Sequence, residues 1–368
     1  MVPIYFNGKF YAGSLNGVHR VSDRLIREID TLIARMPGSE RPVVRLLLPQ
    51  ERQFEPQLHA IEAIEQVEGH SQKWEQMILP RVAADGLLVN LANLAPIRHR
   101  RKVLLLHDAQ FLFPDSSYPW RQRLGYRLLV PRMARSSRIV LTVSDYSRQM
   151  LDLLGVAPRS LTQLLYNGCD HIHEVAADTR VTNELGLADT PYVLMFGSPK
   201  AYKNVGVVFA AFAAQQLAPL RLVVVGGSKV AHEQAGLTPP GDVIWAGGVN
   251  DAQLRALYEG AHALAFPSRT EGFGLPPLEA MLCGCPAVVS PAGAIPEICR
   301  DAVLYADVDD PSSWRDAIRS LNDLALRTSK IASGRSRARL FTWHSAGSRL
   351  FDEIMKQLPT DTIGDKSG

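Results

Sequence analysis

The chain has 368 residues, 46% of them hydrophobic and 21% charged, with a net charge of +3. That length exceeds one ordinary core and suits two domains. No apolar run reaches the roughly 18–20 residues of a membrane span, and the near-balanced charge, with no supporting motif, excludes a nucleic-acid-binding protein.

From the N-terminus, "MVPIYFNGKFYAG" has neither the basic region nor the apolar core of a signal peptide. Short apolar runs then alternate with amphipathic stretches: "VVRLLLP" (43–49), "GLLVNLA" (86–92), "KVLLLHD" (102–108), "RIVLTVS" (138–144) and "LTQLLYNG" (161–168). Between Arg98 and Arg138 ten Lys or Arg face only Asp108 and Asp115. Such an excess reads either as a solvated helix face or as a contact for phosphate or a membrane surface. Trp120, Leu124, Tyr126 and Leu128 are interleaved among these arginines, as in an interfacial helix. The polar stretch "HEVAADTRVTNELGLADTP" (173–191) reads as a linker. A second series follows: "PYVLMFG" (191–197), "LRLVVVGG" (220–227), "DVIWAGG" (242–248), "HALAFPS" (262–268), "PAVVSP" (286–291) and "AVLYAD" (302–307). Uninterrupted Val/Leu/Ile runs mark strands covered on both faces, hence parallel sheets with helices outside. The expected fold is α/β: two Rossmann-like doubly wound domains facing a cleft, with ligands at the C-terminal strand ends. Residues 341–358 have helical spacing, and the last ten residues read as disordered. The four cysteines (169, 283, 285 and 299) show neither metal-site nor disulfide spacing and read as reduced thiols of a cytoplasmic protein.

The densest chemistry lies in "TEGFGLPPLEAM" (270–281). After the strand "HALAFPS" comes a loop with two glycines and then a helix with Pro near its start and Gly284 at its end. Such a strand–loop–helix presents free backbone N–H groups and a positive dipole end, which suits phosphate. Glu271 stands at the loop's entry, and Glu279 is placed in about the first turn of the helix. Two carboxylates flanking a phosphate can accept hydrogen bonds from the hydroxyls of two sugars, as in a nucleotide-sugar. The plainer alternative is that Glu279 favours the helix dipole and Glu271 caps the loop. His107 ends a buried strand, where doubly wound folds put ligand contacts. Asp108 beside it can serve as a cap, and His19 and Arg20 carry weaker signals.

"EGFGLPPLEAM" closely resembles the E-x7-E motif of the large retaining glycosyltransferase family numbered 4, which has the GT-B fold. The likeness runs along most of the chain, in order: "NGVHRV" (16–21), "LLLHDAQFLFP" (104–114), "YRLLVPRMARSSRIVLTVSDYSRQML" (126–151), "YNGCD" (166–170), "FGSPKAYKN" (196–204), "GAIPEI" (293–298) and "FTWHSAG" (341–347). It implies an N-terminal acceptor-binding domain over 1–175, a nucleotide-sugar-binding domain over 176–342, and a crossover helix and tail over 343–368 packed on the first domain. It further implies that Glu271 contacts the donor sugar and Glu279 the ribose. Phe273, Gly274 and Leu275 would hold the diphosphate through their N–H groups, with Lys203 as the phosphate lysine. Gly17 would belong to a flexible loop beside the phosphate, and His107 would lie near the reacting sugar. Where the family commonly has Arg-Lys, this chain has Tyr202-Lys203, and Lys200 is the candidate for the missing charge.

The implied activity is hexose transfer with retained configuration and no cofactor or metal, with no Asp-x-Asp triplet read as a cation anchor. The wording of the motifs resembles bacterial polysaccharide mannosyltransferases. The expected donor is GDP-mannose, with a UDP-hexose behind it. The expected acceptor is a lipid-linked oligosaccharide at the inner face of the plasma membrane, with peripheral membrane contact. An epimerase would need acid–base carboxylates in the first domain, and none is convincingly placed. A non-catalytic nucleotide-sugar sensor would lose His107 or Gly17, and both are present.

Overall fold

The computed structural model describes residues 2–14, 16–66, 73–113, 119–213 and 216–359. Pro114 and Asp115 of the motifs above, and the tail from Thr360 onwards, lie outside them. Strands β1 (Ile4–Asn7), β2 (Val44–Pro49), β3 (Glu62–Gln66), β4 (Leu87–Asn90), β5 (Lys102–Leu106), β6 (Ile139–Thr142) and β7 (Thr162–Leu164) form one sheet. Its order is β3-β2-β1-β4-β5-β6-β7. Strands β8 (Tyr192–Phe196), β9 (Arg221–Val225), β10 (Ile244–Gly247), β11 (Ala263–Phe266), β12 (Ala287–Val289) and β13 (Leu304–Tyr305) form the other, ordered β10-β9-β8-β11-β12-β13. Every pairing is parallel.

Each Val/Leu/Ile run of both series became a strand. β1 and β3 had no counterpart in the reading. β1 is only four residues of mixed type, all buried. β3, an edge strand with Glu62 and Glu65 exposed, lacks the continuous apolar run that marks a strand covered on both faces. The polar stretch 173–191 is not plain linker. It contains a short helix, Arg180–Glu184, held by buried Val181 and Leu187, and the Asp178 N–H donates to the Ala252 carbonyl.

The last helix, Trp343–Met355, returns from the second sheet and lies along the first helix, Gly17–Arg35. The approach is close: a Cβ on Gly347 would sit 2.4 Å from the Glu28 Cβ. Trp343 is fully buried at the join, its backbone N–H donating to the Asp170 carboxylate at 2.8 Å. The arginine-rich segment forms the helix Trp120–Arg135, seated on the first sheet by Val130, Met133 and Ala134. Its outer face exposes Trp120, Leu124, Leu128 and Leu129. Among the described residues no helix is long and apolar enough to cross a membrane. The four cysteines are free and buried, and burial pushes the Cys283, Cys285 and Cys299 thiols up to about 12.

Candidate active site

The loops that follow the strands of the two sheets close around a cleft of about 770 Å3. Gly17, His107, Lys200, Lys203, Glu271, Phe273, Gly274, Leu275 and Glu279 all line it, as do His19, Arg20 and Asp108.

Gly272 brings the two halves into contact. Its carbonyl accepts from the Ser144 hydroxyl at 2.6 Å and the Ser147 hydroxyl at 3.1 Å. A side chain there is impossible without movement, since a Cβ would stand 2.6 Å from the His107 carbonyl oxygen. Two residues on, Gly274 has φ of 107°, a region that L side chains rarely adopt, and caps the helix Leu275–Leu282 with no side-chain hydrogen bond. Among the described residues the N–H groups of Phe273, Gly274 and Leu275 find no acceptor, and the next two positions are prolines. The unsatisfied donors of this helix are thereby concentrated on three consecutive residues at the cleft.

Glu271 precedes them. Its Oε1 accepts from the Lys203 Nζ at 2.7 Å, and that ammonium also lies over the Tyr202 and Phe266 rings at 5.2 and 5.6 Å. Burial works against the charge of Lys203, but Glu271 and Tyr202 outweigh it and the pKa is raised. Tyr202 thus offers an aromatic face to the lysine in place of a guanidinium. Lys200 is exposed on the rim.

Glu279 is the fifth residue of its helix, one position past the first turn, because the helix already begins at Leu275, ahead of the two prolines. At that position it faces inward, with 6% exposure. Tyr258 donates its hydroxyl to one oxygen at 3.1 Å, and the His171 Nε2 lies 3.2 Å from the other. His171 is fixed in turn by the Trp343 indole N–H, which donates to its Nδ1 at 3.1 Å. The proton of His171 therefore sits on Nε2, toward Glu279, although the approach is too oblique for a formed hydrogen bond. The returning helix, the segment Asp170–His173 and the helix of Glu279 meet in this contact. Arg20 reaches across from the first helix and grips both oxygens of Asp251 at 2.6 and 2.7 Å.

On the first sheet, Asn93 holds a left-handed conformation (φ 65°), and its side chain accepts the His107 N–H at 2.8 Å. The His107 ring is buried, with Nε2 2.9 Å from the Leu91 carbonyl, so Nε2 carries the hydrogen and Nδ1 is the accepting atom. Burial lowers its pKa to about 4, which keeps the ring neutral at pH 7. Asp108 next to it is pushed up to about 6, first by burial and then by Glu271, against the Gln110 N–H that it accepts and Lys203. Gly17 lies at the start of the first helix, not in a loop, with Asn16 as its cap and open space beside its Cα.

Sequence reasoning missed three features. A chamber of about 370 Å3 opens beyond Lys203 and Pro276, walled by Gly197, Ser198, Gly226, Gly247 and Gly248 among others. Its signal was the glycine doublets that end β9 and β10. The Arg20–Asp251 bridge and the Trp343–His171–Glu279 contact join residues far apart in sequence and left no local trace. One reading needs correcting: Asp307-Val308-Asp309 is an Asp-x-Asp triplet. It forms an exposed turn in which Asp309 pairs with Arg269 and Asp307 accepts the Asp309 N–H at 2.8 Å. Among the described residues no group of three or more His, Cys, Asp or Glu is placed to hold a metal ion.

Residues 179–336 match the model of the family described as glycosyl transferases group 1. The chain is 32% identical over 267 residues to the O-antigen chain mannosyltransferase B of Escherichia coli, covering 68% of this chain and 69% of that one. It is 33% identical over 288 residues to the D-inositol 3-phosphate glycosyltransferase of Salinispora arenicola, covering 70% and 62%. Its fold superposes on that of Anabaena HepE, solved with UDP-glucose, with a TM-score of 0.74 over 97% of this chain and 100% of that one at 20% identity. Two parallel sheets about a cleft lined by free helix donors and paired carboxylates, with an identity of 32% across two thirds of both chains, have one consequence: the chain belongs to the group 1 glycosyltransferases, as a hexose-transferring enzyme of the GT-B fold.

Proposed function

We propose that this enzyme moves mannose from GDP-mannose to a hydroxyl of a lipid-linked oligosaccharide during O-antigen-type polysaccharide synthesis, with retention of configuration. The observation that carries the donor site is the row of unbonded N–H groups on Phe273, Gly274 and Leu275, with Lys203 and Glu271 on one side and Glu279 on the other. The diphosphate lies on these donors and on Lys203, which stabilise the charge that builds as the sugar leaves. Glu271 exchanges its bond to Lys203 for the sugar's hydroxyls. Glu279 takes the ribose, and the glycine-walled chamber beyond Lys203 takes the base. Neutral His107 presents Nδ1 as an acceptor to the sugar. Mannose is favoured by the name of the Escherichia coli relative. A UDP-hexose is the second reading, favoured by the UDP-glucose complex of HepE on the same fold. Retention of configuration and the membrane contact rest on the family likeness, the latter together with the arginines and exposed Trp120 of the helix Trp120–Arg135.

The test is a donor panel. Purified protein is titrated calorimetrically with GDP, UDP, dTDP and ADP, and the sugar donors of the nucleotide that binds are assayed for turnover. Selective GDP binding with release from GDP-mannose supports the first reading. Preference for UDP moves the assignment to the second, and absence of nucleotide binding overturns both.

A further inference from the structure

The segment "GAIPEI" (293–298) lines no part of the cleft, yet it carries a carboxylate that ties the two halves together. Glu297 belongs to the second half, on the short helix Ile295–Cys299. Its Oε1 accepts from the Asp145 N–H at 2.9 Å and from the Tyr166 hydroxyl at 2.9 Å, and its Oε2 accepts from the Tyr146 N–H at 3.0 Å. All three donors come from the first half. Asp145 and Tyr146 open the helix Asp145–Leu153, whose own cap, Ser144, accepts from the Ser147 N–H. The two N–H groups that this cap leaves over are met by a carboxylate from the opposite half, which the positive end of the helix favours.

We infer that Glu297 is a positioning residue that sets the spacing between His107 and Glu271 across the cleft. The inference rests on the transferase reading of that cleft. Two short paths of contacts carry it. On the first side, the helix that Glu297 caps places the Ser147 hydroxyl 3.2 Å from the His107 carbonyl oxygen. On the second side, the Ala294 N–H, just ahead of the Glu297 helix, donates to the Glu271 carbonyl at 3.0 Å. Gly293 makes this approach possible, since a Cβ there would stand 2.5 Å from the Glu271 nitrogen. Tyr146 adds a direct link, its hydroxyl 3.2 Å from that of Thr270, the neighbour of Glu271. Arg337 holds the Glu297 helix in place, donating to the Glu297 carbonyl at 3.0 Å and the Ile298 carbonyl at 2.7 Å. One carboxylate outside the cleft thus joins the backbone of His107 to that of Glu271. The free N–H groups, Lys203 and Glu279 all lie on the second half, so nucleotide affinity does not depend on this spacing. Turnover does, because it needs groups from both halves in register on one sugar.

The test uses the full chain with the sugar nucleotide that it turns over, and compares wild type, Glu297→Gln and Tyr166→Phe in kcat, KM, nucleotide affinity and Tm. Glutamine keeps the shape of the side chain but turns one acceptor oxygen into a donor that faces a donor. For Glu297→Gln, kcat is expected to fall about 10- to 100-fold, with KM and nucleotide affinity within about twofold of wild type. Tyr166→Phe removes one of the three contacts and keeps both at the helix start, so kcat is expected to fall about threefold in the same pattern. Should Glu297→Gln fail to fold, Tyr166→Phe, whose ring is exposed at the surface, decides alone. A lower Tm with unchanged kcat in the folded variants would make Glu297 a structural cap and overturn the inference. A loss of nucleotide affinity equal to the loss of kcat would overturn it as well. Absence of nucleotide binding by the wild type marks failure of the donor reading itself and removes this inference with it.

Discussion

On the second sheet the edge of the cleft is mostly backbone, with three free N–H groups in a row and glycines at the ends of β9 and β10, while Lys200, Lys203, Glu271 and Glu279 supply charge. On the first sheet it is mostly side chains brought from distant segments: His19, Arg20, Asn93, His107 and Asp108. Phosphate is common to every nucleotide-sugar, so one backbone device can serve all of them. Acceptors differ in which hydroxyls they present, and selecting among them needs side chains whose positions depend on packing elsewhere. On the proposed function, the first half of the cleft is the place for specificity, and the second the place for chemistry common to all donors.

That division can be broken most forcefully at Glu271. Glu271→Gln removes the negative charge that pairs with Lys203 and turns one of the two acceptor oxygens into an amide donor, but leaves the N–H groups intact. Turnover is expected to fall about 100- to 1000-fold, as for loss of one preorganised transition-state contact, while nucleotide affinity changes by less than about threefold. Equal losses in both, measured by steady-state kinetics and calorimetry, would make Glu271 a binding residue only.

A smaller effect is expected at Trp343, which sharpens the boundary between the halves because it lies on the returning helix. Trp343→Phe deletes the indole N–H that holds His171 toward Glu279. One neutral hydrogen bond contributes about 1 kcal/mol, so KM for the donor should rise about fivefold with kcat nearly unchanged. A fall in kcat at constant KM would place the contact in catalysis or closure instead.

The mildest effect concerns Asp108, where the halves meet. Its pKa is raised to about 6, so the carboxyl is charged at pH 7 and neutral at pH 5. Lowering the pH through 6 removes a negative charge beside the diphosphate site. Affinity for an intact sugar nucleotide, which does not itself titrate there, is expected to rise by about two- to fivefold. Asp108→Asn should bind with the higher affinity throughout and lose that pH dependence. A pH profile identical in the variant would show that another group is responsible.

The same division governs what could be read from the sequence. The fold was legible because two-sided burial leaves continuous Val/Leu/Ile runs, and it failed at β1, at the charged edge strand β3 and at the short helix inside 173–191. The strand, glycine loop and helix around Gly272 and Gly274 were legible because they are contiguous in the chain. The error there was one of register. The helix already starts at Leu275, after a left-handed Gly274 and ahead of the two prolines, so Glu279 is its fifth residue, one position past the first turn. Gly17 likewise proved helical. The Lys9–Glu75 ion pair could not be read, because it joins the chain just past the end of β1 to the turn at Trp74, far apart in sequence. Nor could the Trp343–His171–Glu279 contact, which requires the last helix to cross back.

The most direct test of the donor half is the ribose itself. Wild-type protein and Glu279→Gln are titrated with GDP and UDP and with their 2′,3′-dideoxy counterparts. The wild type is expected to bind the preferred ribonucleotide about tenfold or more tightly than its dideoxy form, as expected for charge-assisted hydrogen bonds from two hydroxyls, and the variant to lose most of that discrimination. Equal discrimination in both proteins, or none in the wild type, would contradict the assignment of Glu279 and with it the orientation of the donor in the cleft.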